Sequence, residues 1–480
     1  MHAGFAKDEP RGSATGTKFL KVFRSALVLS GSQIVPERKR DVKDISQIQT
    51  IIVLMFENRS FDHMMGYLGL PPYSRDVEGL QKIPGFTNSY NGFEYPIFPL
   101  GNPGQKLPDD PPHERPNIGA QLDPDGDQSY SMRGFVRSYA QIREIDPGDR
   151  PMVMGYYNAE DVPATHFFAT NYGICDHYFA AVPTGTQPNR LMAMSGYTLS
   201  DVNQSVILPK QDLVYDWLTR NGISWRVYHQ GIPFFMMMDD WHLKVVTDND
   251  HFRSYDEFQD DLNSSEPFPQ VVFVEPRYTD APHYEAPTDD HAPSPISAGQ
   301  DFLKRVYSDL MTNWSRWLKT LMIVNYDENG GFFDHVRPLP IPTNPRPEAK
   351  FVYGPFSTTG PRVPAYLISP FVRPGAIYKG NLDHTSVLKC IATRFGNGSY
   401  SSELDARPVG NIWDALELDA PRDDDADFPP PPSVAGFTPN AVPADTMPQA
   451  FADGAAQAKA AAPEAAQAKF PELFSHFETL

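Results

Sequence analysis

The stretch TIIVLMFENRSFDH, Thr50 to His63, decides how this chain reads. Ile51 to Phe56 form an unbroken apolar run, half of it β-branched. That composition is expected of a strand covered on both faces in a parallel sheet. The run ends abruptly in Glu57 and Asn58, followed by Arg59, Ser60 and Asp62. In open α/β sheets, ligands bind beyond the carboxyl ends of the strands. Glu57-Asn58 therefore reads as the lip of a site. The plainer alternative is a solvated loop in which Ser60 caps a following helix.

A second stretch repeats the pattern. Leu321 to His335 reads LMIVNYDENGGFFDH, an apolar run breaking into Asp327 and Glu328 and then a glycine pair. Two such strands place Glu57, Asn58, Asp327 and Glu328 at one sheet edge. Four oxygen-bearing side chains of this kind suit a hard or borderline divalent cation. Further strands are expected at Ile223–Tyr228, Val271–Val274 and Ala365–Ile368. A helix is expected over Ser297–Met311, with Ser297 and Gln300 as a capping box. Strands alternating with helices predict a three-layer α/β/α sandwich around a mostly parallel sheet.

Composition narrows the partners. The chain has 41 basic and 60 acidic residues, a net charge of −19. A nucleic-acid backbone would find little attraction here. Two cysteines, Cys175 and Cys390, exclude a disulfide framework and a paired-cysteine zinc site. No apolar run reaches the ~18 residues of a membrane span. Lys18 to Val35 resembles a poor secretion signal, broken by Arg24 and far from Met1, so a cytoplasmic location is favoured over a secreted one. Residues 1–48 read as an extension, 49–421 as one folded domain, and 422–480 as an acidic, proline-rich linker with an alanine-rich tail. The tail has helical composition interrupted by Pro463. The apolar run FFMMM, Phe234 to Met238, reads as buried rather than lipid-facing.

A hydrolase built on a metal needs a nucleophile and groups that handle protons and charge. AAVPTGTQPNRLMAMSG, Ala180 to Gly196, offers Thr184 and Thr186 before a helical run, where backbone N–H groups favour a phosphate. Arg190 is a candidate phosphate partner. His113, His229 and His291 stand at loop mouths or strand ends. His384, Asp334 and His335 are weaker candidates.

Eight segments then fall in order: FENRSFDH, MGYYNAEDVP, CDHYF, GTQPNRLMAMSG, TDDHAPSPISAGQDF, YDENGGFFDH, RVPAYLISPFV and DHTSVLKCIATRFG. Together they resemble the bacterial and plant phosphoesterase family of non-specific phospholipases C and acid phosphatases, relatives of alkaline phosphatases. The resemblance covers about Thr50 to Arg407. It implies an alkaline phosphatase-like α/β/α core and a metal-dependent phosphoesterase. It implies one divalent ion, Ca, Mn, Mg or Zn, held by Glu57, Asn58, Asp327 and Glu328 and touched by Thr186. Thr186 becomes the nucleophile, two positions before PNR, and His113, His229 and His291 the phosphate-facing histidines. A phospho-threonine follows, with His291 as the acid. The implied partner is a phosphate ester, possible phospholipids included, with transient membrane-surface contact and an open oligomeric state. A broad acid phosphomonoesterase is the nearest alternative, and a non-catalytic phosphoester-binding module the alternative of another class. One departure stands out: Asn329 replaces the histidine usual after the Asp-Glu pair, and it cannot relay a proton.

Overall fold

Thr50–Phe56 forms the middle of an eight-stranded sheet. The computed structural model describes residues 44–281, 285–422 and 449–471. In chain order the sheet strands are β1 (Thr50–Phe56), β2 (Gly173–Cys175), β3 (Trp225–His229), β4 (Phe252–Ser254), β5 (Val271–Glu275), β6 (Thr320–Tyr326), β7 (Ala365–Ile368) and β8 (Ala376–Tyr378). Their spatial order is β8-β2-β7-β6-β1-β5-β3-β4. All run the same way except β7, which is antiparallel to both neighbours. The expected mostly parallel sheet is therefore present, and the five strands read from sequence lie within two residues of their observed ends.

The apolar run is continuous because both its faces are covered. Phe56 meets Phe302 of the Ser297–Met311 helix edge-on, with centroids 6.5 Å apart. Val53 and Met55 face the other way, lining a small internal cavity with Ala193, Met194 and Tyr215, which belong to the Thr186–Ser195 and Val214–Arg220 helices. Alternate residues of one strand thus meet helices on opposite faces, which is the three-layer arrangement. An edge-to-face ring pair contributes about 0.5–1.5 kcal/mol beyond its buried area.

The Ser297–Met311 helix forms where expected, but its start differs. Ser297 lies inside the helix behind an Ile296 cap, and no side chain caps it. Gln300 is almost wholly buried, and its amide exchanges hydrogen bonds with Thr165, whose backbone N–H donates to Gln300 Oε1 at 3.0 Å. Tertiary pairing with the neighbouring helix has replaced the local capping box.

The alanine-rich tail is less independent than its composition suggests. Gln449–Ala461 and Pro463–Lys469 are helices, with Pro463 at the start of the second. Ala450, Phe451, Ala455 and Ala458 are buried. Gly454 lies so close to Met236 that an added Cβ would sit 1.7 Å from its carbonyl oxygen. Phe234 to Met238 are buried, as expected, partly beneath this helix. Both cysteines are free and buried. The signal-like stretch Lys18–Val35 lies outside the described residues, as does most of the linker after Arg422. Among the described residues no helix is long and apolar enough to cross a membrane.

Candidate active site

Register brings the two acidic strand ends together. β1 and β6 pair from Thr50↔Thr320 to Phe56↔Tyr326, so Glu57 and Asp327 leave the sheet side by side. The Asn58 amide donates to Asp327 Oδ1 at 3.1 Å. Asn58 adopts a left-handed backbone (φ 60°), tolerable for asparagine. Gly330 (φ 59°) permits the close approach of the two loops, since a Cβ there would meet the Asn58 carbonyl oxygen at 2.1 Å. Ser60 caps the short Phe61–Met65 helix by accepting from the His63 amide, as the alternative reading of this loop expects. Capping and the site coexist.

Glu57, Asp327 and Glu328 are nine-tenths or more buried and the Asn58 side chain is fully so. Asn58 Oδ1, Asp327 Oδ2 and Glu328 Oε1 have no hydrogen-bond partner. Buried oxygens left bare cost free energy unless something outside the hydrogen-bond network satisfies them. Burial, with Glu57 nearby, pushes Asp327 up to about 6, and burial, with Asp327 nearby, pushes Glu328 up to about 8. Oxygen-only and partly without hydrogen-bond partners, this donor set has the chemistry of a hard divalent cation site, while the carboxylate and imidazole atoms here that lie within 4.8 Å of one another are those of Glu57, Asp289 and His291, and of Asp110, His113 and His291.

Arg190 is placed otherwise than as a phosphate partner. Its guanidinium lies 3.0 Å from Glu57 Oε1 and 3.4 Å from Asp327 Oδ2, and it donates to the Tyr278 hydroxyl at 2.8 Å. It is spent on the carboxylates. Burial raises the Glu57 pKa, but Arg190 and His291 outweigh it and hold the group down, so Glu57 is a carboxylate.

The turn that carries Thr184 and Thr186 is fixed by a residue that sequence reasoning passed over. Asn189 donates to the carbonyls of Val182, Thr184 and Gly185 and accepts from the Val182 amide. This clamps the turn that ends at Thr186, the first residue of the Thr186–Ser195 helix. Thr186 is half-buried and lines a cleft of about 710 Å³. Thr184 is fully buried, and its hydroxyl donates to the Asp201 carbonyl at 2.8 Å. The two threonines are separated by access.

Glu57, His113 and His291 line the same cleft as Thr186. The two imidazoles meet edge-on, 5.6 Å apart. His113 Nδ1 donates to the Pro111 carbonyl at 2.7 Å and His291 Nδ1 lies 3.0 Å from Glu57 Oε2, so each has one nitrogen anchored. Burial alone would lower the His113 pKa, but Asp110 and Glu328 raise it to about 9. His291 is likewise raised, by Asp110 and Asp280 against burial. Both are shifted toward the protonated form. Asp110 was not singled out from sequence, although DDPPHERP places it three residues before His113.

His229 is not brought to this cleft. It ends β3, its Nδ1 donates to the Gly231 carbonyl, and its ring packs 5.4 Å from Phe470 of the tail. Burial and Lys469 lower its pKa to about 3, so it is neutral. Asn329 is also outside the cleft wall. Its amide donates to Gln121 Oε1 and the Phe332 carbonyl, holding the loop after Glu328. His384 spans two elements: Nε2 donates to the Tyr326 carbonyl at 2.9 Å and Nδ1 accepts from the Ala181 amide at 3.3 Å. Asp334 and His335 join Asp62 and the fully buried Arg362 in an ion network, with His335 Nδ1 2.6 Å from Asp62 Oδ2.

A model of the phosphoesterase family matches residues 48–397. The chain belongs to the phosphoesterase family and is a hydrolase acting on phosphoester bonds. It is 33% identical to non-specific phospholipase C1 of Arabidopsis thaliana over 69% of this chain and 62% of that protein. It is 30% identical to non-specific phospholipase C4 of the same plant over 78% and 73%, and to phospholipase C B of Mycobacterium tuberculosis (strain ATCC 25618 / H37Rv) over 73% and 74%. Among solved structures, the PsFucS1 sulfatase from Pseudoalteromonas sp. overlays with a TM-score of 0.35 at 10% identity, covering 78% of this chain and 74% of that one. An alkaline phosphatase superfamily protein from Vibrio parahaemolyticus overlays at 0.32 and 13%, covering 65% and 84%.

Proposed function

We propose that this phosphoesterase is of phospholipase C type, cleaving a phospholipid to diacylglycerol and a phosphorylated head group through a phospho-threonine at Thr186. The observation that carries the reading is the grouping on one cleft of Thr186, Glu57, His113 and His291, backed by the buried oxygens of Asn58 and Glu328 that have no hydrogen-bond partner. The similarity to named phospholipases C from plants and bacteria supports the substrate class.

Glu57, Asn58, Asp327 and Glu328 would hold one divalent ion beside the Thr186 hydroxyl. That ion supplies Lewis-acid charge that makes a hydroxyl nucleophilic near neutral pH. Arg190 keeps Glu57 and Asp327 ionised and fixed. The Thr186 hydroxyl loses its proton to solvent in the cleft, and its oxygen attacks phosphorus in line from the helix N-terminus, breaking the bond to the esterified oxygen; the N–H groups and dipole there favour the phosphate. His113 and His291, in their protonated forms, take the charge growing on the equatorial oxygens. His291 Nε2, buried and 3.5 Å from Asp110 Oδ2, gives its proton to the leaving alkoxide. Water then hydrolyses the phospho-threonine. His229 has no part in this scheme.

The test is hydrolysis of p-nitrophenyl phosphate and p-nitrophenyl phosphorylcholine, side by side with a panel of divalent cations and Thr186→Ala as control. Preference for the diester is the expected result. Preference for the monoester would make the protein an acid-phosphatase-like member. Neither turnover nor cation binding would leave only the non-catalytic module.

A further inference from the structure

One wall of the cleft comes from outside the segment matched by the family model. That segment ends at residue 397, yet Gln449 and Phe451 of the tail helix line the cleft with Thr186 and Glu57. Phe451 stands by Tyr278, centroids 6.5 Å apart, and Phe234 and Met237 continue the same surface. The helix has a fixed seat. Ala455 and Ala458 are buried, and Gly454 touches the Met236 carbonyl with no room for a side chain. The cleft therefore has a charged end, with Glu57, His113 and His291, and an apolar side closed by the tail.

We propose that Phe451 is a specificity-determining residue, and that the wall it completes receives the apolar group esterified to the phosphate, an acylglycerol or aryl group, rather than a cationic head group. The inference rests on the phosphoester-hydrolysis reading of the same cleft. An aromatic wall also suits a quaternary ammonium. Here, however, the Arg190 guanidinium already lies 4.8 Å from the Tyr278 ring centroid and 5.6 Å from that of Phe234. A second cation on those rings would meet that charge, whereas an uncharged chain meets the side chains of Phe234, Met237 and Phe451 without that repulsion.

Calorimetric titration with two hydrolysis-resistant probes, hexylphosphonate and methylphosphonate, tests the wall without turnover. The full-length protein is used, with and without added Mn2+. The hexyl-to-methyl affinity ratio should fall roughly tenfold in Phe451→Ala, the scale of a lost apolar contact in a binding pocket. Phe451→Leu keeps the apolar packing and should lose part of the ratio, which keeps the test open if alanine unseats the helix. Ala458→Gly loosens the same buried helix away from the cleft and should leave the ratio unchanged. An unchanged ratio in both Phe451 variants, or an equal fall in Ala458→Gly, overturns the proposal. So does a Phe451 variant that weakens the binding of phosphorylcholine, titrated in parallel as a cationic control, and leaves both phosphonate affinities unchanged. Failure of the wild type to turn over either p-nitrophenyl phosphate or p-nitrophenyl phosphorylcholine would count against the hydrolytic reading, while the phosphonate ratio would still decide the role of Phe451.

Discussion

The backbone amide of Asp327 donates to the carbonyl of Phe56 at 3.1 Å, one residue beyond the last paired position of two parallel strands. This bond carries the sheet's register into the site. It sets Glu57 and Asp327 next to each other with no side-chain freedom involved. The arrangement is rigid because both strands are buried along their length.

Thr186→Ala should lower kcat on p-nitrophenyl phosphate by about 10⁴-fold or more, the scale seen when a nucleophile is removed. Thr186→Ser should retain measurable turnover. Thr184→Ala should lower the melting temperature through its lost bond to Asp201 and keep the chemistry. Steady-state kinetics with paired thermal melts separates the two residues, and an active Thr186→Ala protein would refute the assignment.

Arg190→Leu leaves Glu57 and Asp327 buried without their cation. Removing one partner from a buried ion cluster costs about 3–5 kcal/mol. The variant should melt well below wild type, and saturating divalent cation should restore part of the difference. A melting temperature equal to wild type would mean that Arg190 does not neutralise the pair.

Divalent cations should raise the melting temperature of the wild type with a concentration dependence that gives their affinity. Asp327→Asn and Glu328→Gln should each weaken that response, and chelation should abolish turnover. A melting curve indifferent to Ca, Mn, Mg and Zn, and unaffected by either substitution, would exclude the cation site.

Stability should fall at both ends of the pH scale through the Asp62–His335 pair. Burial lowers the His335 pKa, but Asp62 more than offsets this and the net shift is upward. Its contribution is complete below the unfolded value near ~6.5 and is lost as pH rises through the folded value. Asp62 is shifted down by His335 and Arg362 against burial, so its contribution holds above ~3.9 and is lost as pH falls through its folded value. Urea unfolding across pH should show both arms. His335→Gln should flatten the alkaline arm, and an unchanged alkaline arm in that variant would assign it to another group.

Gly330→Ala should destabilise the protein by about 1–3 kcal/mol, because a left-handed backbone is strained once a Cβ is present, with further cost from the contact at Asn58. Activity should fall with it, since the same contact sets the spacing of the proposed ligands. Retained stability and turnover would show that the loops can separate freely.

What the sequence discloses follows from what periodicity can carry. β1, β3, β5, β6 and β7 are apolar runs long enough to read. β2, β4 and β8 have three residues each and carry no pattern above background. Glu57 and Asp327 are legible as strand ends, and register then makes them neighbours. His113, His229 and His291 look alike along the chain. What separates them is the fold: a proline loop brings Asp110 and His113 back over the cleft, while Phe470 covers His229. That cover comes from some 240 residues downstream, which no local window contains. Alanine-rich composition likewise conceals Phe451, the aromatic residue by which, among the described residues, the tail enters the cleft.

The hydrogen bond from Asn58 to Asp327 joins residues 269 positions apart. Parallel pairing of β1 with β6 must therefore wait for most of the chain to be made. At ribosomal rates of ~5–20 residues per second, that interval is on the order of tens of seconds. During it β1, among the most apolar segments of the protein, lacks the neighbour that will cover one edge. In this interval the nascent chain presents an unpaired apolar strand edge, the kind of surface that invites aggregation, and shortened chains ending before Thr320 inherit the same exposed edge permanently.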